Sequence, residues 1–141
     1  MTDTARRLMW HGALLLLLGL LSGFAGPSYA NPRMGLSAHL GGVMNALLLL
    51  VVGALWPAIT LSPRQASALV ALALYGTYAN WAVTTFAAVA GTGALTPIAG
   101  AGHSALPWQE TLVTLGFASV GVTMLGMAIL LLLGLRRRGT A

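Results

Sequence analysis

The sequence contains no cysteine and very little charge. Without cysteine the chain can form no disulfide, no thiolate nucleophile and no cysteine-bound metal or iron–sulfur site. Only 6% of its 141 residues are charged, whereas a typical soluble domain has about a quarter, and the mean hydropathy is +0.86. This composition argues against a water-soluble globule and against intrinsic disorder, which requires low hydrophobicity and high charge.

The basic residues are few and are spread along the chain. All seven are arginines, at positions 6, 7, 33, 64, 136, 137 and 138, and they stand at the ends of apolar segments. A surface that binds nucleic acid would collect its basic residues on one face among polar neighbours. We therefore expect no nucleic-acid partner and interpret the arginines as a signal of membrane topology.

Four long apolar segments dominate the sequence, at about residues 8–26, 36–61, 66–91 and 111–135. Each is long enough to cross the hydrocarbon core as a helix, the form that satisfies its own backbone hydrogen bonds in lipid. The alternating pattern of barrel strands is absent. We predict an all-α integral membrane four-helix bundle, in which residues 1–141 form a single four-span transmembrane domain.

The arginines also predict the orientation of this bundle. Six of them lie at the two ends of the chain or in the short turn at Arg64, and only Arg33 lies in another connection. The positive-inside rule then places both termini on the cytoplasmic side of the membrane. We expect a multi-pass protein of a bacterial-type inner membrane.

Arg6 and Arg7, followed by an apolar run and Ser28-Tyr29-Ala30, also resemble a cleavable signal peptide. We favour a membrane span, because the run is longer than the usual apolar core of such a signal.

Small residues recur along the first and fourth segments. Gly19 and Gly23 have the spacing of a helix-dimer motif, and Gly116, Ser119 and Thr123 follow one side of the last segment. Small residues allow membrane helices to approach closely. We favour packing within the bundle, with a subunit interface as the alternative.

His39 is the intramembrane residue with the clearest chemical potential. It lies about one turn into the second segment, beside Gly41 and Gly42, which clear space of the kind that a flat cofactor needs. Haem iron commonly takes a histidine as axial ligand, although a hydrogen bond to a neighbouring helix is the simpler interpretation. His11 lies near the opposite membrane face, too far away to share an iron with His39. A bound iron is therefore expected to be five-coordinate, with one face open for substrate chemistry.

Other polar residues within the spans admit two interpretations. Asn45 follows His39 by six residues, which places it about 120° around the helix and off the face of His39. Asn80, beside Trp81 in the third segment, either bridges helices or touches a ligand. Tyr78 is more often a packing residue whose hydroxyl has one hydrogen-bond partner.

These residues stand in motifs that resemble a known family. The run Ser37-Ala38-His39, with Asn45 six residues on, and the run 75–81 (YGTYANW) are similar to those of hydroxylaminobenzene mutases. The start at residues 6–12 (RRLMWHG) and the loop at 96–99 (TPIA) fit the same family. The sequence resembles styrene oxide isomerases more weakly, through the spacing of His39 and Asn45 and the aromatic-Ala-Asn run of the third segment.

The resemblance implies an activity and a cofactor. Hydroxylaminobenzene mutases are membrane enzymes that convert N-phenylhydroxylamine to 2-aminophenol. Styrene oxide isomerases are trimeric membrane proteins that contain haem b, whose ferric iron acts as a Lewis acid when an aryl epoxide becomes an aldehyde. Their axial histidine matches His39 and their substrate-side asparagine matches Asn45. The implied protein is an intramolecular hydroxyl-transferring isomerase in the lipid bilayer, a homotrimer with haem b that acts on a small aromatic hydroxylamine.

We assign site residues on this basis. His39 is the predicted metal ligand, and Gly42 and Arg33 complete the predicted cofactor-binding set, with Arg33 placed to meet a haem propionate. Asn45, Asn80 and Tyr78 form the predicted catalytic set, in which the asparagines position the polar group and Tyr78 or Trp81 stacks near the ring.

Three alternatives remain at this point. The first is an epoxide isomerase, but Gly76 and Thr84 stand where the styrene oxide family carries Asp and Tyr, which favours the mutase. The second is a non-catalytic haem protein, which normally needs paired histidines on facing helices. The third is a small transporter, which needs a membrane-embedded carboxylate, whereas the single glutamate, Glu110, lies near the interface.

Overall fold

The computed structural model describes residues 1–136, and within this range the chain forms helices and turns without strands. The helices are α1 (Asp3–Ala25), α2 (Pro32–Leu55), α3 (Pro63–Ala90), the short α4 (Pro97–Gly100) and α5 (Pro107–Arg136). Single 3-10 turns, Gly26–Ser28 and Trp56–Ala58, follow α1 and α2. The predicted all-α class is confirmed. Arg137 and Arg138, which contributed to the predicted orientation, lie outside the described residues.

Helices α1, α2 and α3 begin several residues before their apolar runs, because capping residues set the start. The side chain of Asn31 accepts a hydrogen bond from Met34 N at the start of α2, and Ser62 forms a capping box with Gln65 at the start of α3. Proline occupies the first turn of both helices, where its missing N–H costs nothing. Arg33 therefore belongs to the first turn of α2 and not to the preceding loop.

Four helices (α1, α2, α3 and α5) are apolar and long enough to cross a membrane. Many large apolar side chains point away from the other helices, among them Phe24 (86% exposed), Val122 (73%) and Leu132 (70%). An exposed apolar surface of this extent suits contact with lipid and would be unfavourable in water. The prediction of four membrane-capable helices is confirmed.

The most extensive helix packing among the described residues is between α1 and α2. A Cβ atom added to Gly42 would lie 2.7 Å from Gly19 Cα, so the two backbones touch. Gly12 of α1 likewise contacts Leu50, and Gly53 of α2 contacts Met9. The second face of α2 packs on α3, and α5 packs mainly on α3.

The buried side chains form two apolar clusters with a polar layer between them. One cluster contains Leu8, Leu15, Leu49, Leu69 and Met127 and lies toward the end of the bundle where α1 begins. The other, near the start of α5, contains Met34, Ala87, Ala88 and Val113. Between the clusters along α2 and α3 lie the buried polar residues Asn45, Thr77 and Thr84. The hydroxyls of both threonines donate to carbonyls of their own helix.

Two side chains fasten the long connection between α3 and α5. Asn31, 1% exposed, donates from Nδ2 to the carbonyls of Ala99 (2.9 Å) and Gly100 (3.0 Å). The carboxylate of Glu110 accepts from the backbone N–H groups of Gly93, Ala94 and Ala105, at 3.0 to 3.1 Å. The connection is thereby held to the starts of α2 and α5.

Candidate active site

His39 is held in one orientation by the backbone of α1. Its Nδ1 atom lies 2.9 Å from the carbonyl oxygen of Gly19. A carbonyl only accepts hydrogen bonds, so the shared proton is on Nδ1, which makes Nε2 the ring nitrogen that could bind a metal. Gly23 makes room for the ring, because a Cβ atom at that position would lie 2.7 Å from Nδ1.

The imidazole borders an apolar groove between α1 and α2, at the end of the bundle where α2 begins. The groove has a volume of about 600 Å³, and its walls include Leu20, Phe24 and Leu36. Of the described residues that line it, only His39 has a polar side chain. The groove therefore offers an apolar surface with one imidazole nitrogen that could act as a metal ligand.

The residues present fit haem better than a bare metal ion. In residues 1–136, no three His, Asp or Glu side chains converge on a point where they could hold an ion. A single histidine is sufficient for haem, whose porphyrin supplies the other ligands. A metal-binding histidine commonly donates its second ring N–H to a carbonyl, as His39 does to Gly19.

The other two residues of the predicted cofactor set have different surroundings. Gly42 does not line the groove; a Cβ atom there would meet Gly19 Cα at 2.7 Å and Trp81 Cδ1 at 2.9 Å. It acts behind His39, because its contact with Gly19 brings α1 close enough for the Gly19 carbonyl to reach the ring. Arg33 is exposed, next to Pro32, which lines the groove.

The two predicted catalytic asparagines lie away from the His39 groove. Asn45 is buried, and its Nδ2 atom donates to the carbonyl of Thr77 on α3 at 3.3 Å. Asn80, one turn further along α3, is half-buried, and its Oδ1 atom lies 3.4 Å from the Thr84 hydroxyl. His39 meets α1, whereas Asn45 meets α3, as the spacing of the two residues along α2 predicts.

Tyr78 joins α3 to α1 through His11. The Tyr78 hydroxyl lies 3.1 Å from His11 Nδ1 and donates to the His11 carbonyl at 3.3 Å. His11 and Gly19, which holds His39, are about eight residues or about 12 Å apart along α1. The two histidines therefore occupy separate sites, in agreement with the sequence prediction.

Ser22, which the sequence analysis did not single out, holds Trp81 in place. The indole N–H of Trp81 donates to the hydroxyl of Ser22 at 2.8 Å, which holds the Trp81 ring against Gly42. A tryptophan N–H within an apolar bundle needs a hydrogen-bond acceptor. Ser22, a polar residue among the apolar residues of α1, could have indicated this acceptor in the sequence.

The small residues of α1 and α5 serve packing within the chain. Gly19 and Gly23 face α2, Gly116 faces Val83, and the hydroxyl of Ser119 lies 2.9 Å from that of Tyr75. These contacts confirm the interpretation as internal packing. They give no support to a subunit interface at these positions.

Comparison with known proteins shows which family this sequence matches. The sequence profile of the family described as styrene oxide isomerase matches residues 4–136. Hydroxylaminobenzene mutase HabB of Ectopseudomonas oleovorans is 46% identical over 133 residues, which cover 94% of this chain and 81% of that protein. Hydroxylaminobenzene mutase HabA of the same organism is 42% identical over 127 residues, which cover 89% and 94%. No solved structure matches the chain.

These relatives confirm the resemblance to hydroxylaminobenzene mutases and, with it, the predicted enzyme class of intramolecular isomerases. The family profile covers nearly all of the described helices, including the motifs around His39 and Asn80. The chain belongs to the styrene oxide isomerase family.

Proposed function

We propose that this protein is a membrane isomerase that rearranges hydroxylaminobenzene to 2-aminophenol, with haem b bound through His39. The observation that carries the proposal is the position of the His39 ring at an apolar groove, with Nδ1 held by the Gly19 carbonyl so that Nε2 is the ring nitrogen left to bind iron. The proposed substrate is the one named by the relatives, of which one is 46% identical.

The rearrangement needs no external reductant. The N–O bond breaks, a C–O bond forms at the ortho carbon, and one proton moves from that carbon to nitrogen, so atoms and electrons balance within the substrate. Haem iron, when bound, would supply a Lewis acid that polarises the N–O bond. His39 would hold that group in the groove, and Gly19 would keep the imidazole in the required tautomer.

The remaining residues of the proposed site position the substrate. Asn45, Asn80 and Tyr78 are proposed from the family resemblance to position the substrate, and in this structure they act from α3 and the α3 side of α2, away from the groove that His39 borders. The hydrogen bonds from Tyr78 to His11 and from Trp81 to Ser22 use the polar atoms of these aromatic side chains and fix the rings. Trp81 contacts Gly42 on α2 and directly follows Asn80 on α3. It therefore adjoins a residue of the predicted cofactor set and a residue of the predicted catalytic set.

The proposal includes a place in the cell and an assembly. Arg6, Arg7 and Arg64 lie at one end of the bundle and Arg33 lies at the other. This bias supports a multi-pass protein of the bacterial inner membrane with both termini in the cytoplasm. The homotrimer is proposed from the family resemblance.

Epoxide isomerisation is the second candidate, because the matching family is described as styrene oxide isomerase. The packing at Gly76 speaks against it. A Cβ atom there would lie 2.7 Å from Met124 Sδ, so the aspartate that the epoxide isomerases carry would require the Met124 side chain to move. Thr84, where those enzymes carry a tyrosine, is 8% exposed and leaves little room for a larger side chain.

The test is a product assay with the purified protein. Hydroxylaminobenzene and styrene oxide are supplied in parallel without reductant, and the products are separated by chromatography. We expect 2-aminophenol from the first and no aldehyde from the second. His39→Ala abolishes the conversion, whereas His103→Ala, at an exposed loop histidine, retains it. Full activity of His39→Ala would contradict the mechanism, and aldehyde as the main product would favour the epoxide isomerase.

A further inference from the structure

A second cleft opens at the opposite end of the bundle from the His39 groove. It lies between α1 and α3, near their arginine-rich ends, and has a volume of about 320 Å³. Arg7 and Thr4 line it from α1, Ser67 and Leu74 line it from α3, and Trp56 lies beside it. None of these residues belongs to the proposed active site.

The mouth of the cleft is polar and basic. Arg7, Thr4 and Ser67 provide a guanidinium group and two hydroxyls. Arg64 precedes Ser67 by three residues on α3 and so lies on the same face of that helix. The chain has seven arginines and only two acidic residues, so most of its guanidinium groups have no carboxylate of the chain to pair with. Of the two acids, Glu110 is bonded to the loop at the far end of the bundle, and Asp3 lies four residues before Arg7 on α1.

The inner part of the cleft is apolar and runs along the direction of the helices. Val70, Ala71 and Leu74 line it, and the lining of α3 from Ala66 to Leu74 extends about 12 Å. One turn beyond Leu74, the hydrogen bond between Tyr78 and His11 joins the two helices. The cleft therefore has a charged mouth and an apolar interior.

We propose that this cleft binds an anionic phospholipid, with its phosphate at Arg7 and Arg64 and an acyl chain along Val70, Ala71 and Leu74. A guanidinium fork matches phosphate oxygens, and basic pockets between membrane helices bind anionic headgroups. Trp56 at the mouth suits the membrane interface. A free anion would use the mouth alone, whereas the apolar interior favours a lipid. The inference rests on the membrane placement proposed above.

Native mass spectrometry of the detergent-purified full chain tests this site. The probes are phosphatidylglycerol and phosphatidylcholine with the same acyl chains. We expect wild type to retain phosphatidylglycerol selectively. Arg7→Gln and Arg64→Gln each weaken retention about fivefold, the effect of about one basic residue on anionic lipid binding. Arg6→Gln is the matched control, because it removes the same charge about 100° around α1 from Arg7 and leaves retention unchanged.

Four results would overturn the proposal. They are equal retention of both lipids, an equal loss in the Arg6 and Arg7 variants, full competition by inorganic phosphate, and retention that survives filling of the interior by Ala71→Leu. Ala71→Leu also serves if an arginine variant fails to fold. A carbonate wash of membranes from the same cells checks the placement separately, since a protein that washes off would refute the membrane assignment and not only the lipid site.

Discussion

The Nδ1 atom of His39 and the carbonyl oxygen of Gly19, 2.9 Å apart, connect the proposed site to the contact between α1 and α2. Gly19 also touches Gly42 through its backbone. Any change that separates the two helices therefore moves the imidazole. The orientation of the proposed ligand is a property of helix packing, and glycines on both helices determine it.

Gly23→Ala should disable the site while leaving His39 in the sequence. The new Cβ atom would lie 2.7 Å from His39 Nδ1, so the ring must shift. A displacement of this kind costs about tenfold to 100-fold in rate. Mutase activity, measured by formation of 2-aminophenol, and haem absorbance are expected to fall together.

Gly41→Ala is the matched control for this variant. A Cβ atom at Gly41 meets nothing within 4 Å, and alanine favours the helix by about 0.5–1 kcal/mol over glycine. Activity and absorbance should be unchanged, and the unfolding temperature should be equal or higher. An equal loss of activity in both variants would show that Gly23 does not act through the His39 ring.

Tyr78→Phe separates the hydroxyl of Tyr78 from its ring. The hydroxyl bonds to His11 at a half-buried position, so its loss should lower the free energy of unfolding by about 0.5–1.5 kcal/mol, the net value of a typical hydrogen bond. The ring remains for contact with substrate, so kcat should stay within about threefold of wild type, a change of about 0.6 kcal/mol in activation free energy. Thermal unfolding and steady-state kinetics measure the two effects. A kcat loss of about 100-fold in a stably folded Tyr78→Phe protein would instead assign the hydroxyl to the chemistry.

Asn45→Leu tests the proposed role of the amide in binding substrate. Since Asn45 bonds to Thr77 and not to His39, haem absorbance should be retained. The value of kcat/KM should fall by about tenfold, the effect of one lost polar contact of about 1.4 kcal/mol. Thr85→Val is the control, because that hydroxyl donates to the Trp81 carbonyl of its own helix. Unchanged kcat/KM with reduced stability would make Asn45 a packing residue.

Glu110→Gln should loosen the connection between α3 and α5. The neutral amide accepts more weakly than a carboxylate, and three backbone N–H groups depend on this side chain. Hydrogen exchange at Gly93, Ala94 and Ala105 should accelerate by about tenfold or more, for a loss of about 1.5–3 kcal/mol. Exchange within α2 should be unchanged. Unaltered exchange at all three amides would show that the carboxylate does not hold the loop.

The helices were largely predictable from the sequence, and their starts were less so. Apolar runs locate the spans, but the caps at Asn31 and Ser62 begin α2 and α3 earlier than hydrophobicity indicates. The 3-10 turn at Trp56–Ala58 ends α2 earlier than predicted, since Pro57 cannot continue the helical hydrogen bonds. Helix caps and proline turns of this kind can be recognised in the sequence, because they depend only on neighbouring residues.

The site was predictable only where it depends on local spacing. The six-residue spacing of His39 and Asn45 predicts that their side chains point to different sides of α2. In the structure His39 contacts α1 and Asn45 contacts α3. The partners of these residues depend on which helices touch, and nothing local to the sequence shows that Gly42 meets Gly19 or that Trp81 meets Ser22. Gly42 was therefore expected to clear space for a cofactor, whereas its position instead brings α1 close to His39.

Haem ligation by His39 is tested most directly by the absorbance spectrum of purified wild-type and His39→Ala proteins from haem-supplemented cells. We predict a Soret band in wild type, its absence in His39→Ala, and its return when imidazole is added to the variant with haem. A Soret band of equal intensity in His39→Ala, or none in active wild-type protein, would contradict the proposed site.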